Sequence, residues 1–365
     1  WQQEAKRLGV RLNRIDKKND YFGDGNYITY YEFLKKRIEY YKDKFDLVIL
    51  DEAHKIKSAA TIRGKAIRRI KAKYKLCLTG TPVKNMIKDL FFILGWLNGF
   101  ESAEFPYQEK DYIKFYKEFG SYEFTKTDRK FTPVLSNKEK LQRILSPTMV
   151  RRTLDTTGLK LVEKNIYRLG VDFTQEQKIE YVKILNDKTL DGTTRQWKLK
   201  HNLTTYPGNN KIQALTKLID IFKNEQVIIY STIIEAMNIF HSLFNNSRIA
   251  NGEVPPPLRE EIISDFKKGY FQILIAGIES MGTGHSLQNC RNVIVTDYGY
   301  TASGLDQAVY RVCRINSERN INIIKLYVKN SIEENRQLDL IDKKRESSEM
   351  LLDYSSNYNF QTIKL

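Results

Sequence analysis

Short uninterrupted apolar runs recur along the chain, each closed by polar or Gly-bearing punctuation and followed by stretches in which apolar residues return every three or four positions. The runs are Phe45–Leu50, Lys75–Leu78, Val227–Tyr230, Ile273–Ala276, Val293–Val295 and Ile321–Val328. A strand apolar on both faces suits a parallel sheet covered by helices on either side. The predicted class is therefore α/β. Between about Gly95 and Asp191 the pattern lapses: YQEKDYIKFYKEFGSYEF is rich in aromatic and basic residues, no strand run is expected, and helices are predicted over Lys138–Leu145 and Gln175–Leu190. The expected organisation has three parts, a first α/β unit over 1–95, a helical insertion with linker over 96–205, and a second α/β unit over 206–365. Asp191–Asn210, with Gly192, Pro207 and Gly208, is the expected linker.

Composition narrows the function classes. The 365 residues suffice for two domains, each with its own core. With 41% hydrophobic and 28% charged residues the chain is neither disordered nor membrane-spanning, since no apolar run approaches the roughly 20 residues a spanning helix needs. Sixty Lys and Arg against 44 Asp and Glu leave a net charge of +16, a surface field that favours polyanions, nucleic acid before an anionic membrane face. Cys77, Cys290 and Cys313 lie far apart without metal-ligand spacing, so neither disulfides nor structural zinc are expected. The opening WQQEAKRLGV has no signal-peptide character and reads as the inside of a domain.

Chemistry concentrates at the ends of the runs. FDLVILDEAHK (Phe45–Lys55) delivers two carboxylates and a histidine to the carboxyl end of a strand, the end at which open parallel sheets bind ligands. Asp51 suits a water-bridged Mg²⁺, Glu52 suits activation of a water attacking a γ-phosphate, and His54 suits sensing of that phosphate. A bland alternative is a helix N-terminus that favours acids. In KYKLCLTGTPVKN (Lys73–Asn85) a second strand leads into Thr79, Gly80, Thr81 and Pro82, where Gly80 permits a tight turn and two hydroxyls can bond a carboxylate or phosphate. Later come GIESMGTGHSLQNC, the strand RNVIVTD and GLDQAVYRVCRINS. There the spacing of Gln307, Arg311 and Arg314 puts them on one helical face, as neutralising charge on a transferring phosphoryl group requires.

Taken in order these blocks resemble the Swi/Snf-type branch of superfamily-two helicases. Trp1–Glu4 with Arg7 looks like the start of motif Ia, Asn26–Lys36 like motif Ib, Asp51–His54 like motif II and Leu78–Pro82 like motif III. Ser146–Leu161 and Val171–Leu185 are similar to the stretches leading out of the first lobe. Gln226–Thr232 looks like motif IV, Gly252–Phe266 like motif IVa, Gly277–Leu287 like motif V and Asp306–Ile315 like motif VI. Such an ordered series is far more specific than any single block.

The resemblance implies two RecA-like lobes with parallel sheets, ATP and Mg²⁺ in the cleft between them, and duplex DNA held across both by its backbone. In that picture Asp51 and Glu52 act on the ion and water, Arg311 and Arg314 are arginine fingers, and Gln307 and His54 link nucleotide to motion. Thr79, Gly80 and Thr81 couple the lobes, while Thr29, Tyr30, Lys84, Ser231, Thr232, Ser280 and Gly282 lie near the DNA backbone. Gly282 also lies near the nucleotide. The implied activity is ATP-dependent translocation on double-stranded DNA by an intracellular monomer, cytoplasmic or in the nucleoid or nucleus, and possible for a phage or virus. Ser280-Met281-Gly282 and RVCRI lean towards the small annealing-helicase and phage-like members. Three departures accompany the match. No G-x-x-x-x-G-K-[ST] occurs, so the chain is expected to begin after motif I; RINS stands where the family usually reads RIGQ; and no chromatin-reading appendage is visible. A non-catalytic DNA-binding remnant and a strand-separating DNA or RNA helicase are the alternatives.

Overall fold

The computed structural model describes residues 1–16, 23–58, 60–80, 82–83, 87–125, 128–150, 162–278, 286–299, 302–313, 320–338 and 360–362. They divide into two compact units, Trp1–Val150 and Arg151–Leu365.

The first unit opens with the helix Gln2–Arg7, followed by a short parallel pair, β1 (Asn13–Arg14) on β2 (Tyr27–Ile28), and the helix Tyr31–Tyr41. A second parallel pair follows, β3 (Leu47–Asp51) on β4 (Tyr74–Leu78), with Asp51 opposite Leu78. Both strands were expected within one to two residues. Their burial was not: Val48, Leu50 and Cys77 face a core with Ile56, Ile67 and Trp96, but Leu47, Ile49, Tyr74 and Leu76 on the other face are exposed. The expectation of two covered faces thus fails for this pair.

The aromatic stretch beyond Gly95 is core. Phe91 in the helix Phe91–Asn98 packs its ring against Phe92, Phe100, Phe105, Tyr107 and Phe115 at centroid distances of 5.0–6.3 Å. Ring pairs at such distances add to the transfer energy of their burial. Gly95 is required there, because a Cβ at that position would collide with the Phe100 ring. We expect Gly95→Ala to destabilise the unit by about 1–3 kcal/mol in denaturant unfolding, with Gly95→Ala/Phe100→Leu recovering part of the loss; an unchanged midpoint would disprove the packing argument. The same stretch holds an antiparallel hairpin, β5 (Gly120–Thr125) with β6 (Asp128–Leu135), which corrects the expectation that no strands occur.

The second unit is a seven-stranded, all-parallel sheet in the order β13-β7-β12-β11-β8-β10-β9, formed by β7 (Lys164–Val171), β8 (Val227–Ser231), β9 (Ser247–Ala250), β10 (Ile273–Gly277), β11 (Asn292–Val295), β12 (Ile321–Val328) and β13 (Phe360–Thr362). Every residue of β8, β10 and β11 is buried. Ile228, Tyr230, Leu274, Val293 and Val295 enter one core and Val227, Ile229, Ile273, Ile275 and Ile294 the other, as predicted for helices on both faces.

Two corrections concern the segment read as insertion and linker. Lys164–Val171 is a strand of this sheet, paired along its whole length with β12. Its polar residues have work there: in-register Asn165, Asn322 and Asn292 form a side-chain amide ladder, Asn165 Nδ2 donating to Asn322 Oδ1 at 3.3 Å and Asn322 Nδ2 to Asn292 Oδ1 at 2.9 Å. Glu225 closes the ladder, accepting from Asn292 Nδ2 at 2.6 Å and from the Arg291 guanidinium. The expected linker is mostly the helix Gly192–Thr205, capped by Asp191, whose carboxylate accepts from Thr193 N at 2.8 Å and Thr194 N at 3.0 Å. Only the turn Tyr206–Asn209 separates it from the helix Asn210–Ile221, where Asn209 caps through Ile212 N at 2.9 Å. Helix Gln175–Asn186 ends four residues before the predicted Leu190.

Candidate functional site

Apolar strands in both units deliver polar residues to their carboxyl ends. In the first unit β3 ends at Asp51 and the chain turns at once through Glu52, whose backbone is left-handed at φ 51° and ψ 50°. That conformation costs a non-glycine residue about 1–2 kcal/mol. It starts the short 3-10 turn Ala53–Ile56, which buries His54 at 8% exposure. His54 Nδ1 lies 3.2 Å from Glu52 Oε2 and 3.3 Å from Thr79 Oγ1, so one imidazole joins the residues following β3 to those following β4. Parallel pairing brings the two ends level and makes this possible.

Asp51 is held from several sides. Its Oδ2 accepts from Trp1 Nε1 at 2.7 Å, its Oδ1 from Glu52 N at 2.9 Å, and its carbonyl oxygen from the Tyr31 hydroxyl at 2.7 Å. Burial pushes the Tyr31 phenol well above its ordinary range, with nearby Cys77 and Asp51 adding to the effect. Burial likewise pushes the Cys77 thiol up to about 12, which disfavours its reactive thiolate form. Lys57 pairs with the buried Asp89 at 2.9 Å and ties the loop after His54 to the turn Ile87–Leu90. Of the expected DNA-contact residues, Tyr30 is 45% exposed at the cap of the helix Tyr31–Tyr41. Thr29 spends its hydroxyl inside the fold, donating to Ile15 O at 2.9 Å.

In the second unit the corresponding node is Asp297, fully buried just past β11. Its carboxylate accepts from the Ser231 and Thr232 hydroxyls and from Thr232 N at 2.9 Å. Lys200, from helix Gly192–Thr205, donates to Thr232 Oγ1 at 2.9 Å and lies 3.7 Å from Asp297 Oδ1. Ser231 is therefore a brace: at 0% exposure its side chain does not face solvent, contrary to the role expected for it, whereas Thr232 is exposed. Neither Asp297 nor Lys200 was singled out in sequence. Asp297 carries the same signature as Asp51, an apolar strand ending in Asp, in RNVIVTD; Lys200 has none.

Close by is a buried ion pair. Lys211 Nζ, 1% exposed, donates to both Glu333 oxygens at 2.7 and 2.8 Å and to Thr296 O at 2.8 Å. Glu333 also accepts from Val328 N at 3.0 Å. Desolvation holds the Glu333 carboxyl above its ordinary range, against the pull of the Lys211 ammonium.

Helix Ala302–Tyr310 carries Gln307 and is pinned by the Tyr230 hydroxyl donating to Ala308 O at 3.1 Å. The expectation that Arg311 lies on this helix is corrected. The backbone tightens there, with Arg311 N donating to Ala308 O at 3.3 Å, and Arg311 O is captured by Leu287 N at 2.8 Å, which fixes Arg311 in a turn beside the end of the motif V stretch. Thr81, Lys84, Ser280, Gly282 and Arg314 lie outside the described residues, as does the side chain of Gln307. Among the described residues no group of three or more His, Cys, Asp or Glu has the makings of a metal cage. No described helix is long and apolar enough to cross a membrane.

Comparison with known proteins draws its boundary later in the chain than the two compact units do, inside the second unit. The SNF2-related domain matches residues 15–227 and the helicase conserved C-terminal domain matches residues 210–316. The chain is 25% identical over 338 residues to the uncharacterized ATP-dependent helicase YqhH of Bacillus subtilis, a match covering 80% of this chain and 57% of that protein. It is also 25% identical to the uncharacterized ATP-dependent helicase MG018 of Mycoplasma genitalium, covering 82% of this chain and 31% of the relative. The chain thus spans between about a third and somewhat over half of these relatives' lengths. Among solved structures, the Sulfolobus solfataricus SWI2/SNF2 ATPase core in complex with dsDNA aligns over 96% of this chain and 81% of its own, at 22% identity and a TM-score of 0.41.

Proposed function

The chain belongs to the SNF2-related helicase family, and from that premise we propose that it is the motor of an ATP-dependent translocase on duplex DNA, remodelling DNA or protein–DNA complexes without separating strands. The observation that carries the reading is the His54 bridge. Glu52, read as the carboxylate that activates the attacking water, and Thr79, read as a coupling hydroxyl, both lie within 3.3 Å of the same buried imidazole nitrogen, which supports a link between them. Glu52 is assigned the removal of a proton from the attacking water, and Arg311 and Arg314 the neutralisation of charge developing on the transferred phosphoryl group. Gln307 is assigned to linking nucleotide and motion, and Gly80 and Thr81 to the same coupling segment as Thr79.

The donors suit Mg²⁺. Asp51 is exposed and has two oxygens with about four acceptor sites, of which Trp1 and Glu52 N use two, leaving room for an ion that keeps most of its water. Mg²⁺ bound there supplies charge neutralisation at the triphosphate.

For DNA the support is the +16 charge together with the exposed Tyr30 and Thr232 just past strand ends; Lys84, Ser280 and Gly282 complete the proposed backbone contacts. Such contacts bind phosphates, so affinity should fall steeply with salt and vary little with sequence. The test is ATP turnover by the full-length protein with duplex DNA, single-stranded DNA and RNA. Strong stimulation by duplex alone is expected, and equal or greater stimulation by RNA or single strands overturns the duplex assignment.

A further inference from the structure

We propose that Trp1 and Tyr31 are positioning residues for Asp51, fixing its carboxylate and its backbone separately so that the metal-binding oxygens and the neighbouring Glu52 are held in one geometry. The inference rests on the ATPase reading above and names side chains that reading leaves without a role.

Three segments distant in sequence meet at one residue. Trp1 stands at the cap of helix Gln2–Arg7, Tyr31 opens the helix Tyr31–Tyr41, and Asp51 ends β3. The indole N–H points at the carboxylate oxygen that Glu52 N does not use, at 2.7 Å. With each oxygen tied to a donor, the carboxylate cannot rotate freely. A neutral donor matters here. An indole orients the carboxylate yet leaves its charge for a divalent ion, whereas Lys or Arg at the same place would compete with that ion. Nor can the indole act as an acceptor, so it cannot replace water as a metal ligand.

Tyr31 acts on the main chain. Its hydroxyl donates at 2.7 Å to the Asp51 carbonyl, at the point where the chain leaves the sheet and enters the left-handed Glu52. A strained turn persists only where its surroundings hold it. Removal of this hydroxyl leaves the carbonyl without that donor and loosens the turn that aims Glu52. The Lys55 ammonium, 5.6 Å from the Tyr31 ring centroid, lies over the same ring and helps fix it. The two residues should therefore differ in effect: Trp1 acts on the metal-binding oxygens alone, Tyr31 on both carboxylates.

The experiment compares Trp1→Phe and Tyr31→Phe in the full-length protein, the first replacing the indole and its N–H by a donor-free aromatic ring and the second deleting only the hydroxyl, with Tyr40→Phe as the control. Mn²⁺ serves as a spin-active probe of the site, titrated in the presence of a non-hydrolysable ATP analogue. Each variant is expected to bind Mn²⁺ about tenfold more weakly, with the metal-free affinity for duplex DNA and the melting temperature unchanged. The Mg²⁺ concentration for half-maximal turnover should rise in both variants. At saturating Mg²⁺ the turnover of Trp1→Phe should recover, while that of Tyr31→Phe stays low. Mn²⁺ affinity equal to wild type in both variants overturns the inference while leaving the ATPase reading intact. A wild-type protein that binds no Mn²⁺–nucleotide overturns both. If Tyr31→Phe lowers the melting temperature, Trp1→Phe, a change at an exposed side chain, decides the matter alone.

Discussion

Replacing Glu52 by Gln in the full-length protein is expected to lower DNA-stimulated ATP turnover by about 10²–10⁴-fold, the range for loss of a positioned general base, while ATP and duplex DNA still bind. The substitution preserves shape and one acceptor oxygen and removes only the ability to take a proton. The left-handed backbone at Glu52 is unaffected by the choice of Glu or Gln, so the turn into Ala53–Ile56 should keep its form. His54 loses a carboxylate partner but keeps Thr79 at 3.3 Å. Pre-steady-state hydrolysis and equilibrium binding separate the effects. Turnover within a few-fold of wild type removes Glu52 from the role; lost nucleotide binding with it recasts Glu52 as a structural or metal-binding group.

The largest effect on stability is expected at Lys211. Lys211→Met keeps most of the side-chain volume but leaves Glu333, 0% exposed, buried without its cation. Removing one partner of a buried pair typically costs about 3–5 kcal/mol, and denaturant unfolding of the second unit should show a loss of that order. Adding Glu333→Gln should return most of it. That pair carries no buried charge, and the Gln carbonyl can still accept from Val328 N. A single variant as stable as wild type, or a double variant no better than the single, contradicts the account. Breaking the pair also frees Thr296 O, next to Asp297, so the Ser231–Thr232–Lys200 node should loosen in the surviving folded fraction.

These two sites differ in how plainly the sequence announces them. Asp51, Glu52, His54 and Thr79 stand directly after apolar runs, and parallel pairing guarantees that such ends meet. Asp297 has the same position in its own strand. Lys211 and Glu333 have no such marker, because a lysine in an amphipathic helix ordinarily marks the solvent face, and only tertiary packing buries it. The strands of the second unit were legible where both faces are apolar. β7 was not, since only Ile166 and Leu169 are buried in Lys164–Val171 and the rest of its pairing relies on Asn165 and backbone bonds. Helix Gly192–Thr205 was mistaken for a linker because its punctuation brackets it: Gly192 follows the capping Asp191, and Pro207 and Gly208 lie just past its end. Arg311 and Gln307 share a helical spacing that tertiary contacts cut short, as Leu287 captures the Arg311 carbonyl.

The first rung of the amide ladder, Asn165 on Asn322, also sets a clock for biosynthesis. Its two partners are 157 residues apart, so β7 leaves the ribosome long before its neighbour β12 exists. At ordinary elongation rates of about 5–20 residues per second, the interval is roughly 8–30 s. During it β7 offers an unpaired edge with Ile166 and Leu169 uncovered, and the second sheet cannot close its central order until the last of these strands emerges. Slow, long-range parallel closure of this kind favours aggregation over folding when many nascent chains are present. Asn165 and Arg168 lower the apolar content of that waiting strand, and its register is fixed only when Asn322 pairs with Asn165.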